Sequence, residues 1–116
     1  FEGTIDEVIA KDILEHVPVA DWTETLHTWV ECLKPGGTIF VQVPDPAAVF
    51  AQYVAGNIDE YTMNRVVYGE CTTELDKHYQ LISRERLEAT MRDMGLEILE
   101  SYNLHVCAIV VGKKPS

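Results

Sequence analysis

Two histidines and the acidic residues beside them are the side chains best suited to chemistry in this sequence. Glu15 and His16 are adjacent in "DILEHV" (12–17), and Asp76 and His78 alternate in "LDKHYQ". Histidine titrates near neutral pH, so both histidines suit a general-base role. Alternate residues of an extended segment point the same way, so Asp76 and His78 can face one cleft. Together with His16 they would form a carboxylate–histidine cluster of the kind that binds a divalent metal.

Each of these residues also has a structural interpretation. Glu15 can cap or pair locally while His16 packs under the following helix. Residues 70–82 show no periodicity and can form an exposed loop without a ligand. Tyr79, next to His78, can line a substrate pocket or cover an edge of the core. The residue types alone leave these alternatives open.

The elements that must position these residues follow an α/β pattern. "TIDEVIA" (4–10) and "TIFVQV" (38–43) are apolar runs that predict largely buried strands. Between them, apolar residues recur at positions 22, 26, 29, 30 and 33, which is one face of a helix. A strand, a helix and a strand within about forty residues predict a βαβ unit with parallel strands and a right-handed crossover.

The second half predicts further helices and a C-terminal hairpin. Asp45 before a proline, and Ser83, are typical helix N-caps, and Gly69 is expected to end a helix before the 70–82 loop. "LEILES" (96–101) and "HVCAIVVGKK" (105–114) then predict two antiparallel strands joined through residues 102–104.

Composition limits the possible partners. A chain of 116 residues with 47% hydrophobic content makes a single globular domain. Its net charge of −10 repels phosphate backbones, so nucleic acid is not an expected partner. No apolar run approaches the roughly 18 residues of a membrane span. The three cysteines form no C-x-x-C pair, which fits a reducing compartment, and we expect a cytoplasmic location.

Two longer segments resemble a known family. "IDEVIAKDILEHVP" (5–18) is similar to the fourth strand of class I S-adenosylmethionine-dependent methyltransferases and the turn that follows it. "LKPGGTIFVQVPD" (33–45) is similar to their fifth strand, with "LKPGG" as a structural turn before it. The last helix and hairpin resemble their last helix and strands six and seven. The resemblance covers residues 1–116 and implies a truncated Rossmann-like half with sheet order 4-5-7-6.

The resemblance also implies a function and roles for the candidate residues. The family transfers a methyl group from S-adenosylmethionine, here to an unknown small acceptor. Asp12, which follows the fourth strand, corresponds to a position close to the methionine part of the cofactor. We assign no bound metal ion to these residues on the basis of the resemblance. The residues by expected role are His16 and His78 for catalysis, Asp12 and Glu15 for cofactor binding, and Asp76 and Tyr79 for the substrate pocket.

One family feature is not found in this sequence. The family binds its cofactor mainly through a glycine-rich turn after strand one, and no G-x-G-x-G occurs here. We therefore expect no methyl transfer by the chain alone. The exposed edge of strand four should be covered by a second copy, giving a homodimer, or by a chain that supplies the N-terminal half. The alternatives are a non-catalytic assembly or regulatory module and a metal-dependent activity at His16, Asp76 and His78.

Overall fold

The computed structural model describes residues 2–116, which form an α/β domain around a four-stranded mixed sheet. Its strands lie in the order β1-β2-β4-β3. The first two are parallel, and the other two pairings are antiparallel. The strands are β1 (Ile5–Lys11), β2 (Leu33–Pro44), β3 (Glu97–Leu104) and β4 (Cys107–Lys113).

Four α-helices accompany the sheet within the described residues. The first of them connects the two parallel strands, as the βαβ pattern predicted. The longest has 11 residues, and no described helix is long and apolar enough to cross a membrane. The helices are α1 (Trp22–Cys32), α2 (Pro46–Val54), α3 (Glu60–Tyr68) and α4 (Arg84–Asp93), with short 3-10 turns at Leu14–His16 and Glu74–Asp76.

The core lies between one face of the sheet and helices α1 and α4. Alternate residues of β2 and β4 point to this face, as the two-residue period of a strand requires. Burying each large apolar side chain contributes about 1.5–3 kcal/mol. The largest buried side chains of this layer include Trp22 and Leu26 of α1, Ile39 and Val41 of β2, and Leu87 and Met91 of α4.

Asp45 holds the start of two helices together. Its Oδ2 accepts a hydrogen bond of 2.8 Å from the Ala48 amide in the first turn of α2. Its Oδ1 accepts one of 2.7 Å from the Arg84 amide at the start of α4. The side chain is only 2% exposed, so both bonds are shielded from water. The predicted N-cap is confirmed, as is Ser83, whose hydroxyl accepts from the Arg86 amide.

The first strand is an edge and not a buried strand. It pairs only with β2 among the described residues, and Ala10 is its one buried residue. Ile9 is 57% exposed. The apolar sequence of β1 predicted a largely buried strand. In the described sheet, however, β1 has a neighbouring strand along only one of its two backbone edges.

Two connections also differ from the sequence-based expectation. β2 begins at Leu33, so "LKPGG" is part of the strand and not a turn before it. The pairing jumps from Ile5 opposite Leu33 to Glu7 opposite Thr38, so the motif bulges out of the ladder. Gly37 allows the close approach, since a Cβ there would lie 3.0 Å from the Asp6 carbonyl oxygen. The hairpin turn falls at residues 105–106 and not at 102–104, because β3 continues to residue 104.

Candidate active site

The candidate site begins where β1 ends. Asp12 has a φ of 56°, and its amide donates a 2.9 Å hydrogen bond to the Gln42 carbonyl of β2. The Gln42 side-chain amide in turn donates to the Asp12 carboxylate at 3.2 Å. A single 3-10 turn follows, with Leu14 buried in the core. This turn delivers Glu15 and His16 to the carboxyl edge of the parallel strands, where ligands bind in open α/β sheets.

Glu15, His16 and His78 come together at this edge, and we call them the donor cluster. The two imidazole rings meet edge to face with their centroids 4.6 Å apart. One potential ligand atom from each of the three residues lies within 4.8 Å of the others. A backbone hydrogen bond of 2.8 Å from the Tyr79 amide to the Glu15 carbonyl joins the two segments.

Backbone carbonyls fix the orientation of both rings. His16 Nδ1 lies 3.1 Å from the Lys77 carbonyl oxygen, and His78 Nδ1 lies 2.6 Å from the Val66 carbonyl oxygen. A carbonyl oxygen can only accept a hydrogen bond, so each Nδ1 must carry the proton. In the neutral ring the lone pair is then on Nε2. Both histidines therefore present Nε2 as a base or as a metal ligand.

Burial shifts the pKa values of Glu15 and His78. Glu15 is only 1% exposed, and its Oε1 makes no hydrogen bond to the described residues. Loss of hydration raises the pKa of this carboxyl to about 7, and the nearby charge of Asp12 acts in the same direction. Burial also lowers the pKa of His78, although its bond to Val66 opposes the shift. His78 is accordingly a neutral imidazole at physiological pH.

A cavity of about 450 Å³ opens over the donor cluster. One wall is the face of α3 and its C-cap, where lining residues recur with the spacing i, i+3, i+4 and i+7. Another wall is the start of β4, where burial raises the pKa of the Cys107 thiol to about 11. The lining residues on the α3 side are Thr62, Arg65, Val66 and Gly69, and Arg65 forms an ion pair with Glu70.

Gly69 lets α3 approach the loop that carries His78. Its φ is 82°, and it forms an isolated antiparallel bridge with Lys77. A Cβ at this position would lie 2.0 Å from the Asp76 carbonyl oxygen. The His78 amide also donates a 3.0 Å hydrogen bond to the Tyr68 carbonyl. The end of α3 thus places the His78 ring.

Five of the six residues singled out in the sequence line this cavity, and one does not. Asp12, Glu15, His16, Asp76 and His78 all contribute to its walls. The sixth, the tyrosine at position 79, lies outside the lining and places its ring 5.4 Å from the Lys77 ammonium.

The structure brings together two of the three residues of the alternative metal cluster, His16 and His78, but not Asp76. Asp76 lines the cavity, but its carboxylate accepts a hydrogen bond from the Thr72 hydroxyl and is not in the donor cluster. Glu15 takes that place. The α3 residues that line the cavity were not predicted. Their spacing of i, i+3, i+4 and i+7 in a predicted short helix would have placed them on one helix face.

Comparison with known proteins identifies the family. The sequence model of a family described as "Methyltransferase domain" matches residues 1–101. The chain belongs to the class I S-adenosylmethionine-dependent methyltransferase family. Among curated proteins, none matches this chain.

Solved structures show the same fold at low sequence identity. An O-methyltransferase family protein from Burkholderia thailandensis superposes with a TM-score of 0.67 at 16% identity, over 98% of this chain and 31% of that one. A possible exported protein from Bordetella parapertussis gives 0.71 at 18%, over 99% and 40%.

A third similar structure carries ligands. The 1,6-didemethyltoxoflavin-N1-methyltransferase of Burkholderia thailandensis, with bound 1,6-didemethyltoxoflavin and S-adenosylhomocysteine, gives a TM-score of 0.66 at 12% identity, over 100% of this chain and 46% of that one. The chain thus spans less than half the length of all three structures.

Proposed function

We propose that this chain forms the acceptor side of a methyltransferase site that transfers a methyl group from S-adenosylmethionine to an oxygen or nitrogen of a small acceptor. The observation that carries this proposal is the cavity at the carboxyl edge of β1 and β2, lined by two histidines whose Nδ1 atoms are bound to carbonyls. Nε2 of His16 or His78 accepts the proton that the acceptor loses. Asp76 in the cavity wall is a candidate contact for the acceptor.

The residues present fit one end of the cofactor. S-Adenosylmethionine supplies a methyl group on a positively charged sulfur, and its methionine part carries an ammonium group. Asp12 lies at the strand end, and Glu15 presents a buried oxygen without a hydrogen-bond partner among the described residues. Such acidic groups suit a cationic ligand. The sequence offers no glycine-rich loop for the nucleoside part, so the fit is confined to the methionine end.

We further propose that cofactor binding requires completion at the edge of β1. This strand has one neighbour in the described sheet, and Ile9 and Ile13 beside the edge are exposed. Exposed apolar edges invite strand pairing. The chain covers 56% of a putative Haloferax volcanii methyltransferase that was solved in complex with the Trm112 methyltransferase activator. The completing element is a segment or chain that supplies the nucleoside contacts.

A homodimer without catalysis is the second candidate, and the same edge favours it. Two copies paired at β1 would form one continuous eight-stranded sheet, which requires a two-fold axis. Analytical ultracentrifugation shows whether the chain forms a homodimer. A homodimer that still binds no cofactor when the completing segment or chain is present supports an assembly module.

The test of the leading proposal is a calorimetric titration with S-adenosylhomocysteine. We expect micromolar binding when the completing segment or chain is present, weakened at least tenfold by Asp12→Ala. We expect no binding by the 116-residue chain alone up to millimolar ligand. No binding when the completing segment or chain is present would overturn the methyltransferase proposal. Micromolar binding by the short chain would overturn the need for completion.

A further inference from the structure

The donor cluster has the chemistry of a transition-metal site. It offers two imidazoles and one carboxylate, which zinc accepts readily, whereas calcium and magnesium prefer oxygen ligands throughout. Histidines that bind a metal through one ring nitrogen usually donate the other N–H to a carbonyl or carboxylate. His16 and His78 both have this arrangement, through Lys77 and Val66.

The buried oxygen of Glu15 is the second, independent observation. A buried polar atom without a hydrogen-bond partner is rare in a folded protein and calls for an explanation. Oε1 of Glu15 is such an atom within residues 2–116, and its side chain is almost completely buried beside the two rings. A cation held between the carboxylate and the imidazoles would supply the missing interaction.

We infer that Glu15, His16 and His78 bind one divalent transition-metal ion, with Zn²⁺ as the best-suited ion. Zinc in a tetrahedral site lies about 2.0–2.2 Å from nitrogen and oxygen, so its ligands are roughly 3.3 Å apart. The three donor atoms lie within 4.8 Å of one another, so binding draws them together by about 1.5 Å.

Three protein ligands beside a cavity leave one coordination position open. This is the arrangement of catalytic and not structural zinc sites, which are closed by four protein ligands. The cavity over the cluster is large enough for a water molecule or a small oxygen ligand at that position. The inference goes beyond the proposed methyl transfer and does not depend on it. An imidazole whose Nε2 binds zinc is no longer a base, so His16 and His78 can accept the proton of the acceptor only in the metal-free state of the chain.

The test is a calorimetric titration of the 116-residue chain with Zn²⁺ after treatment with a chelator. We expect one ion per chain, and roughly 100-fold weaker binding in His16→Ala and in His78→Ala. The control is His27→Ala, which removes an exposed histidine paired with Glu31 on α1 and should leave the affinity unchanged. Circular dichroism shows whether each variant has folded.

A spectrum of the wild-type chain with Co²⁺ tests the site without any substitution. We expect the intense visible bands of a tetrahedral or five-coordinate ion with nitrogen and oxygen ligands. A thiolate-to-cobalt charge-transfer band would place a cysteine such as Cys107 in the site and overturn the assignment. Absence of zinc binding by the wild type would also overturn it. Neither experiment contains cofactor or acceptor, so either failure would leave the methyl-transfer proposal standing.

Discussion

Replacing Gly69 with alanine should damage the site without touching any of its chemical groups. The added Cβ would lie 2.0 Å from the Asp76 carbonyl oxygen and 3.0 Å from the His78 amide nitrogen. Both are backbone atoms and cannot rotate away, so the bridge between Gly69 and Lys77 must open. His78 would then lose its hydrogen bonds to the Val66 and Tyr68 carbonyls at the end of α3.

Gly56 provides a matched control for the size of the effect. Gly69 and Gly56 have φ angles of 82° and 78°, but Gly69 combines its φ with a ψ of −175°, a region that is essentially restricted to glycine. Alanine should be strained by about 1–2 kcal/mol at Gly56 and by about 1–3 kcal/mol at Gly69. A Cβ at Gly56 has no described atom within 4 Å, so Gly56→Ala should cost no more than the strain at that position. Relieving the contact at Gly69 requires a backbone shift of more than 1 Å, which adds roughly 1–3 kcal/mol. Gly69→Ala should therefore cost about 2–6 kcal/mol.

Urea denaturation of both variants measures this difference as a shift in midpoint at constant slope. Zinc affinity measured on the same samples links the loss of stability to the site. We expect Gly69→Ala to weaken zinc binding and Gly56→Ala to leave it unchanged. Equal unfolding free energies for the two variants would refute the reasoning that the close approach of Gly69 to the His78 loop is needed.

Three further predictions concern Asp45, Glu15 and Cys107. Asp45→Ala removes the shared cap of α2 and α4 and should lower the free energy of unfolding by about 2–4 kcal/mol, measured by urea denaturation. Glu15 keeps its proton up to about pH 7 when folded but releases it near 4.5 when unfolded, so stability should fall as pH rises through this window. The free energy of unfolding should fall by roughly 3 kcal/mol over this window. Glu15→Gln, measured in chelator, should abolish this fall, and equal pH profiles for the variant and the wild type would contradict the raised pKa. Maleimide should label exposed Cys71 well before Cys107, whose thiol has its pKa raised to about 11, as mass spectrometry of the peptides would show.

The sequence predicts local features of this fold better than the assembly of the site. Asp45 and Ser83 cap their helices as predicted, because an N-cap depends on residues two or three positions away. His16 and His78 are 62 positions apart, and their contact depends on α3 and the loop after it. No local pattern in either segment specifies that contact.

The position of Glu15 beside His78 could not be predicted for a different reason. Glutamate is rarely buried, so its position beside a histidine suggested cofactor binding and not a place in a cluster with His78. Asp76 appeared the better partner because it alternates with His78 along the chain. Alternation places two side chains on one side only if the segment is extended. Residues 74–76 instead form a 3-10 turn, and the Asp76 carboxylate accepts a hydrogen bond from Thr72.

Both functions proposed for this site require His16 and His78 to present an Nε2 lone pair at the carboxyl edge of the sheet. Long-range ¹H–¹⁵N correlation spectra of the imidazoles, recorded on the metal-free chain in slightly alkaline solution, test it directly. Both rings should show the tautomer with the proton on Nδ1, fixed by the Lys77 and Val66 carbonyls. A spectrum with the proton on Nε2 of either ring would contradict the account, because that ring could then serve neither as the base nor as the zinc ligand described here.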